Sequence, residues 1–253
     1  MRNIFITAAL LVVALCLGAE NAPIPATPKK AVSNRAESVL RSACKFLQDS
    51  PCFSLKAELW HEHLSENSQK VQFGKCMEME IKRPNLLRAD ILHGNGSGRT
   101  FWYNGKELVI HDKARNLYSR SSMPNTIEKM LDASCEQGID LPLADLVSDD
   151  PYGTLTSGVE TARYYGIESV LGKPCHHLAF TQKNIDWQIW IEDGARPLIR
   201  KFVIIHKNEE AQPEFTALIT DWNMTDRISE GFFEFIKPTG AIEIQSLKEG
   251  AKK

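Results

Sequence analysis

The sequence predicts an α+β fold, with one highly curved antiparallel sheet of about eleven strands packed against an N-terminal helix and a central helical insert. Three observations predict it. Long stretches alternate apolar and polar residues with period two. One early segment carries apolar residues at spacings of three and four. The period then turns helical once more near the middle of the chain, between two runs of strands.

The helix comes first. Ser33 opens it, Ala36, Val39, Leu40, Ala43, Phe46 and Leu47 form its apolar face, and Ser50-Pro51 ends it. In residues 54–64, Leu55, Ala57 and Leu59 share one face and Lys56, Glu58 and Glu62 the other. In residues 71–82, Val71, Phe73, Met77, Met79 and Ile81 oppose Gln72, Glu78, Glu80 and Lys82. Such alternation marks antiparallel strands with one face in the core, and the polar segment 65–69 is their turn. Arg83-Pro84-Asn85 is the next turn, followed by a strand over 86–92 and a glycine-rich loop from His93 to Gly98. Phe101-Trp102-Tyr103 meets Asn104-Gly105, a strong hairpin signal, with partner strands over 108–110 and 116–120.

The insert follows. Residues 126–137 place Ile127, Met130, Leu131 and Ser134 at helical spacing, 141–147 is a second short helical candidate, and Asp149-Asp150-Pro151-Tyr152-Gly153 closes the segment. Strands resume over 162–171, 175–182, 187–192, 198–207 and 215–225. A short helix over 226–231 and a last strand over 242–245 complete the chain.

The N-terminus states an address. Met1-Arg2-Asn3 is a short basic start, residues 4–17 are apolar except Thr7, and small residues follow at Gly18, Ala19 and Ala22. This order is that of a secretory signal peptide, expected over residues 1–22, and its apolar run is too short for a membrane span. Residues 23–32, rich in proline, are expected to be a flexible leader and residues 248–253 a tail, leaving 33–247 as one domain. The full chain carries a formal net charge of −2, and removing residues 1–19 takes away a single arginine, Arg2. A nearly neutral protein without a basic face is not expected to bind nucleic acid, and no second apolar stretch reaches spanning length.

Six cysteines occur; Cys16 falls in the expected signal peptide, and the odd number left over implies at least one thiol outside any internal bridge. Cys44 and Cys52, the closest pair, are the candidate disulfide, with connectivity otherwise open. His61 and His63 project to one face of a strand, whereas His176 and His177, beside Cys175, project to opposite faces. Nothing in their spacing matches a zinc pattern, so no metal or cofactor is expected, and the histidines are read as the rim or wall of an apolar cavity. The glycines at 94, 96 and 98 lack the following helix of a dinucleotide site, and no Gly-x-Ser-x-Gly elbow is present. No motif names a reaction. Five tryptophans and eleven phenylalanines, many on these strands, suit a curved sheet that encloses an apolar ligand. By alternation, the expected wall is Leu59, Phe73, Met77, Met79, Phe180 and Ile189.

The order of elements, and three local patterns, resemble the LolA/LolB-like lipoprotein carriers of the bacterial envelope. The patterns are Gly172-Lys173-Pro174-Cys175-His176-His177-Leu178-Ala179-Phe180, then Asp186-Trp187-Gln188-Ile189-Trp190-Ile191 followed by Pro197-Leu198-Ile199-Arg200-Lys201, and Phe233-Glu234-Phe235-Ile236-Lys237-Pro238-Thr239-Gly240-Ala241. More narrowly, the chain is similar to a family of predicted periplasmic proteins of unknown function with that fold. The resemblance implies a half-barrel in which the helical insert is a plug or lid. It implies a non-enzymatic periplasmic protein whose partner is a lipid or lipidated protein. An envelope protein docked on the concave face is the alternative, and a hydrolase using the His-Cys or acidic pairs comes third. Cysteines in this number, and the Cys-His-His run, depart from the main carriers.

Overall fold

The computed structural model describes residues 33–224 and 227–245. The expected signal peptide, leader and tail lie outside them.

Helix α1 (Asn34–Gln48) starts where expected, with the Ser33 hydroxyl accepting from the Ala36 N–H. It buries Ala36, Val39, Leu40, Ala43, Cys44 and Leu47. The strands are β1 (Cys52–Leu64), β2 (Lys70–Lys82), β3 (Leu86–Leu92), β4 (Gly98–Tyr103), β5 (Glu107–Asp112) and β6 (Leu117–Ser122). After the insert come β7 (Thr161–Val170), β8 (Lys173–Thr181), β9 (Ile185–Glu192), β10 (Ile199–His206), β11 (Glu214–Asn223) and β12 (Ile242–Glu243). All 12 lie in one open sheet ordered β12-β6-β5-β4-β3-β2-β1-β11-β10-β9-β8-β7. Neighbours pair antiparallel except β12, which runs parallel to β6. The fold is thus an α+β half-barrel.

Local chemistry explains the turns. The glycine-rich loop is the β3–β4 hairpin, closed by His93 N–H to Ser97 C=O at 2.8 Å and Gly96 N–H to His93 C=O at 2.9 Å. At Gly98, with φ +150°, a side chain would collide with the Ile91 carbonyl oxygen 2.0 Å away, so glycine is required there.

The insert contains α2 (Ile127–Glu136), a 3-10 turn at Ala144–Leu146 and α3 (Pro151–Thr156). The third piece was read from sequence as a closing turn. Yet Asp150 caps it through the Gly153 N–H, and Pro151 sits at the first helical position, where its missing donor costs nothing. Of the helix expected over 226–231, residue 226 lies outside the described residues, and the described part carries instead a 3-10 turn at Glu230–Phe233.

One face of the sheet carries the main core. Phe53, Leu55, Ala57 and Leu59 of β1, Met77, Met79 and Ile81 of β2, and Leu178, Phe180, Trp187 and Ile189 of β8 and β9 are buried with the apolar sides of α1 and the insert. Phe180 stacks on Trp187 with centroids 3.9 Å apart. On the convex face, the segment after Ser229 straps β2–β6. Glu230 pairs with Lys82, Phe232 lies 4.2 Å over Arg88, and Phe235 packs on Trp102 and Tyr118 before β12 joins the edge.

Candidate functional site

The concave face is a trough whose character changes along its length. On β1, Leu55, Ala57 and Leu59 are buried, His61 is half-buried and His63 exposed. On β2, Ile81, Met79 and Met77 are buried, Lys75 is half-buried, and Phe73 is 50% exposed. Alternation puts all of these side chains on one face, and the ladder pairs His61 with Phe73 and Leu59 with Lys75. The buried half lies under α1 and the insert. The other half opens to solvent.

The insert is pinned at one end. The Arg83 guanidinium, only 12% exposed, donates to the Val147 carbonyl at 3.0 Å and lies 3.5 Å from Asp149. Gln48 donates to the Asp149 carbonyl, Glu128 accepts from the Asp149 N–H, and Ile127 N–H bonds to Pro84 C=O. Burial holds the Arg83 pKa below its usual value, opposed by Asp149 and Glu128. The opposite tip, with Gly138 at φ +71° and Leu143 at φ 62°, leans over the open end of the trough.

Two cavities follow from this arrangement. One of about 230 Å³ lies between α2 and the sheet, walled by Leu87, Phe101, Leu108, Met130, Leu131 and Ile139. A larger cleft of about 410 Å³ lies at the open end, between Leu59, Ile91, Phe101 and Phe215 on the sheet and Asp140 and Pro142 on the insert tip. Phe101 and Asp140 line both, so the cleft and the inner cavity adjoin.

The mouth is rimmed by polar groups. His61, Lys75, His93, Arg99 and Asp112 all line the cleft. The rings of His61 and His63 meet edge-on at 4.7 Å, with Phe73 5.6 Å from His63 and 6.1 Å from His61. The His61 pKa is lowered by burial first, then by the charges of Lys75, His63 and His93. Asp112 is held by Arg115, with Oδ2 2.6 Å from the guanidinium and Oδ1 3.0 Å from the backbone N–H.

Of the expected wall residues, Leu59 lines the cleft and Phe73 stands exposed at its rim. Met77, Met79, Phe180 and Ile189 lie in the roofed core, each 3% exposed or less. Cys44 and Cys52 are both buried. Cys44 is buried on the inner side of α1, where desolvation pushes its thiol up to about 12. His176 and His177 do point to opposite faces. His176 bonds to the Tyr164 hydroxyl and Asp193, while His177 stacks on Trp190 at 4.2 Å. Among the described residues, no group of three His, Cys, Asp or Glu side chains is placed to hold a metal. The mouth residues Lys75, His93, Arg99 and Asp140 were not singled out from sequence. Only Lys75 left a signal there, as the one charge interrupting an apolar stripe.

Fold and site define a class: an open half-barrel with a helical insert over an apolar trough. The chain belongs to the family described as predicted periplasmic protein (DUF2092), whose model matches residues 36–247, and it is periplasmic. No curated relative matches it. An uncharacterized conserved protein from Thermus thermophilus superposes with a TM-score of 0.50 at 12% identity, covering 84% of this chain and 100% of that one. The Mycobacterium tuberculosis lipoprotein LppX gives 0.49 at 12% identity, covering 78% of this chain and 100% of its own. A LolA-superfamily protein from Nitrosomonas europaea gives 0.40 at 10% identity, covering 79% and 97%. At these identities the likeness concerns the fold alone. Among the described residues, no helix is long and apolar enough to cross a membrane.

Proposed function

We propose that this protein is a non-enzymatic periplasmic carrier that holds the acyl chain of a lipid or lipidated protein in its trough, after residues 1–22 have directed its export as a signal peptide. One observation carries the reading. An apolar trough roofed by a pinned insert runs out into an open cleft whose rim exposes the ring of Phe73. A large aromatic left half in solvent beside a cleft of about 410 Å³, within the range of ligand pockets, is apolar surface awaiting cover. Each methylene withdrawn from water contributes about 0.8 kcal/mol, so a chain lying along Phe73, Phe215 and Leu59 and reaching past Phe101 gains affinity with every carbon. Met77, Met79, Phe180 and Ile189 become wall when the insert swings out on its Arg83 anchor, and Leu59 and Phe73 serve without any movement.

Native mass spectrometry of the full chain expressed with its own leader, followed by lipid extraction, tests the reading. A discrete co-purifying acyl species, lost in Phe73→Ser while the melting temperature holds, is the expected result. A bare protein that takes up no added fluorescent fatty acid would sink it and favour a docked envelope protein.

A further inference from the structure

The mouth of the trough has a chemistry that the acyl-chain reading does not use. Two permanent cations, Lys75 and Arg99, line the cleft from adjacent parts of the concave face, with the imidazoles of His61 and His93 beside them. Lys75 stands directly across from Leu59, and Arg99 from Ile91 and Asp112, so the charges sit where the apolar stripe ends. Two carboxylates line the same cleft. Asp112 is engaged by Arg115 through both oxygens, and the charge of Arg99 also acts on it, so it offsets part of the positive charge of the mouth. Asp140 approaches from the insert tip, the part of the roof that borders the opening. Burial first, and then the charge of Lys75, disfavour a proton on His61. An anion placed beside Lys75 and His61 would relieve that repulsion.

We propose that this mouth binds the anionic headgroup, a phosphate or carboxylate, of the amphiphile whose chain the trough takes up. Lys75 and Arg99 supply the charge, and His61 and His93 supply further hydrogen-bond donors. The inference rests on the carrier reading and narrows its ligand to acidic amphiphiles. It also assigns Asp140 an opposing role, as a like charge that an incoming headgroup meets at the insert tip, so that its removal strengthens binding.

The test compares pyrene-labelled palmitate with the matching pyrene-labelled hexadecanol, titrated into the full chain at low and high salt. The chains are alike and only the headgroup charge differs. Palmitate is expected to bind about tenfold more tightly at low salt, with the gap shrinking as salt screens the site. Lys75→Gln and Arg99→Gln should each narrow the gap, weakening palmitate by a larger factor than hexadecanol. Lys75→Arg should restore it, and Asp140→Asn should widen it. Circular dichroism and melting curves confirm that each variant is folded. Equal binding of acid and alcohol overturns the headgroup site and leaves the carrier reading standing. Uptake of neither probe overturns both. A gap that Lys75→Gln and Arg99→Gln leave intact also overturns the assignment, because the charge would then be read elsewhere.

Discussion

Two stretches of the same pair of strands differ in everything except their hydrogen bonding. Along residues 53–59 of β1 and 77–81 of β2, the inward side chains are apolar and at most 3% exposed. A few residues on, the same face carries His61, His63, Lys75 and an open Phe73 ring, with no helix above them. The ladder is continuous through both. The sheet therefore fixes which way a side chain faces, while α1 and the insert decide whether that position is core or surface. One half of the trough is committed to holding the molecule together, and the other is left available for a ligand.

Substitutions at matched inward positions can break that comparison. Met79 is fully buried in the roofed half, so Met79→Asp, which strands an unpaired charge there, should cost about 4 kcal/mol or more in urea denaturation. A loss near that expected at a surface position would mean the roof is loose and the two halves are alike. Arg83→Met comes next. It removes the hydrogen bond to Val147 and the contact with Asp149, and should cost about 1–3 kcal/mol. Its effect should be local, with amide exchange accelerating over residues 127–156 and not over β8 and β9; uniform acceleration would rule out a separately hinged insert.

A third variant separates the trough from the convex face. Glu80, beside Arg88 in the ladder, has a carboxyl oxygen buried without a hydrogen bond, and burial, partly offset by Arg88, raises its pKa to about 7. The folded state thus holds this proton more tightly than the unfolded chain does. The stability that follows is present at acid pH, and it fades as pH rises from the usual carboxylate range through about 7. Glu80→Gln should flatten that decline and stabilise the protein at pH 8 by on the order of 1 kcal/mol. An unchanged pH profile of the melting temperature would place the dependence elsewhere, the mouth histidines included. Smallest of all, Phe73→Ser should change stability by no more than about 0.5 kcal/mol, despite lying on the same stripe as Met79.

That last contrast shows how far the sequence could be read. Alternation placed Phe73, Met77 and Met79 on one face correctly, because period two is a property of the backbone. It could not say that a roof stops between Met77 and Phe73, since the roof arrives from other elements, α1 before these strands and the insert well after them. Because Met77 and Met79 are buried under that roof, a charge at either strikes the fold as well as the trough. Helix α1 was legible to the residue at its start because its cap is local chemistry. The pairing of β12 with β6 is long-range and only two residues long, so no window of sequence displays it. Lys75 was visible as a flaw in the stripe, and it marks where core gives way to mouth.

Leaving the barrel open has a consequence beyond ligand entry. A closed barrel has no edges, whereas this sheet ends in two rows of unpaired backbone donors and acceptors, each a template for another chain. The molecule guards them differently. At β7 the register breaks between Tyr164 and Gly166, a bulge that twists the edge out of line. At β6 the guard is the chain's own end, laid alongside as β12 and held by Ile242 N–H to Asn116 C=O at 3.1 Å and Ile244 N–H to Tyr118 C=O at 2.8 Å. The strap that reaches across the convex face is thus a sheath against self-association, and a protein clipped before Pro238 should trade its solubility for edge-to-edge aggregation.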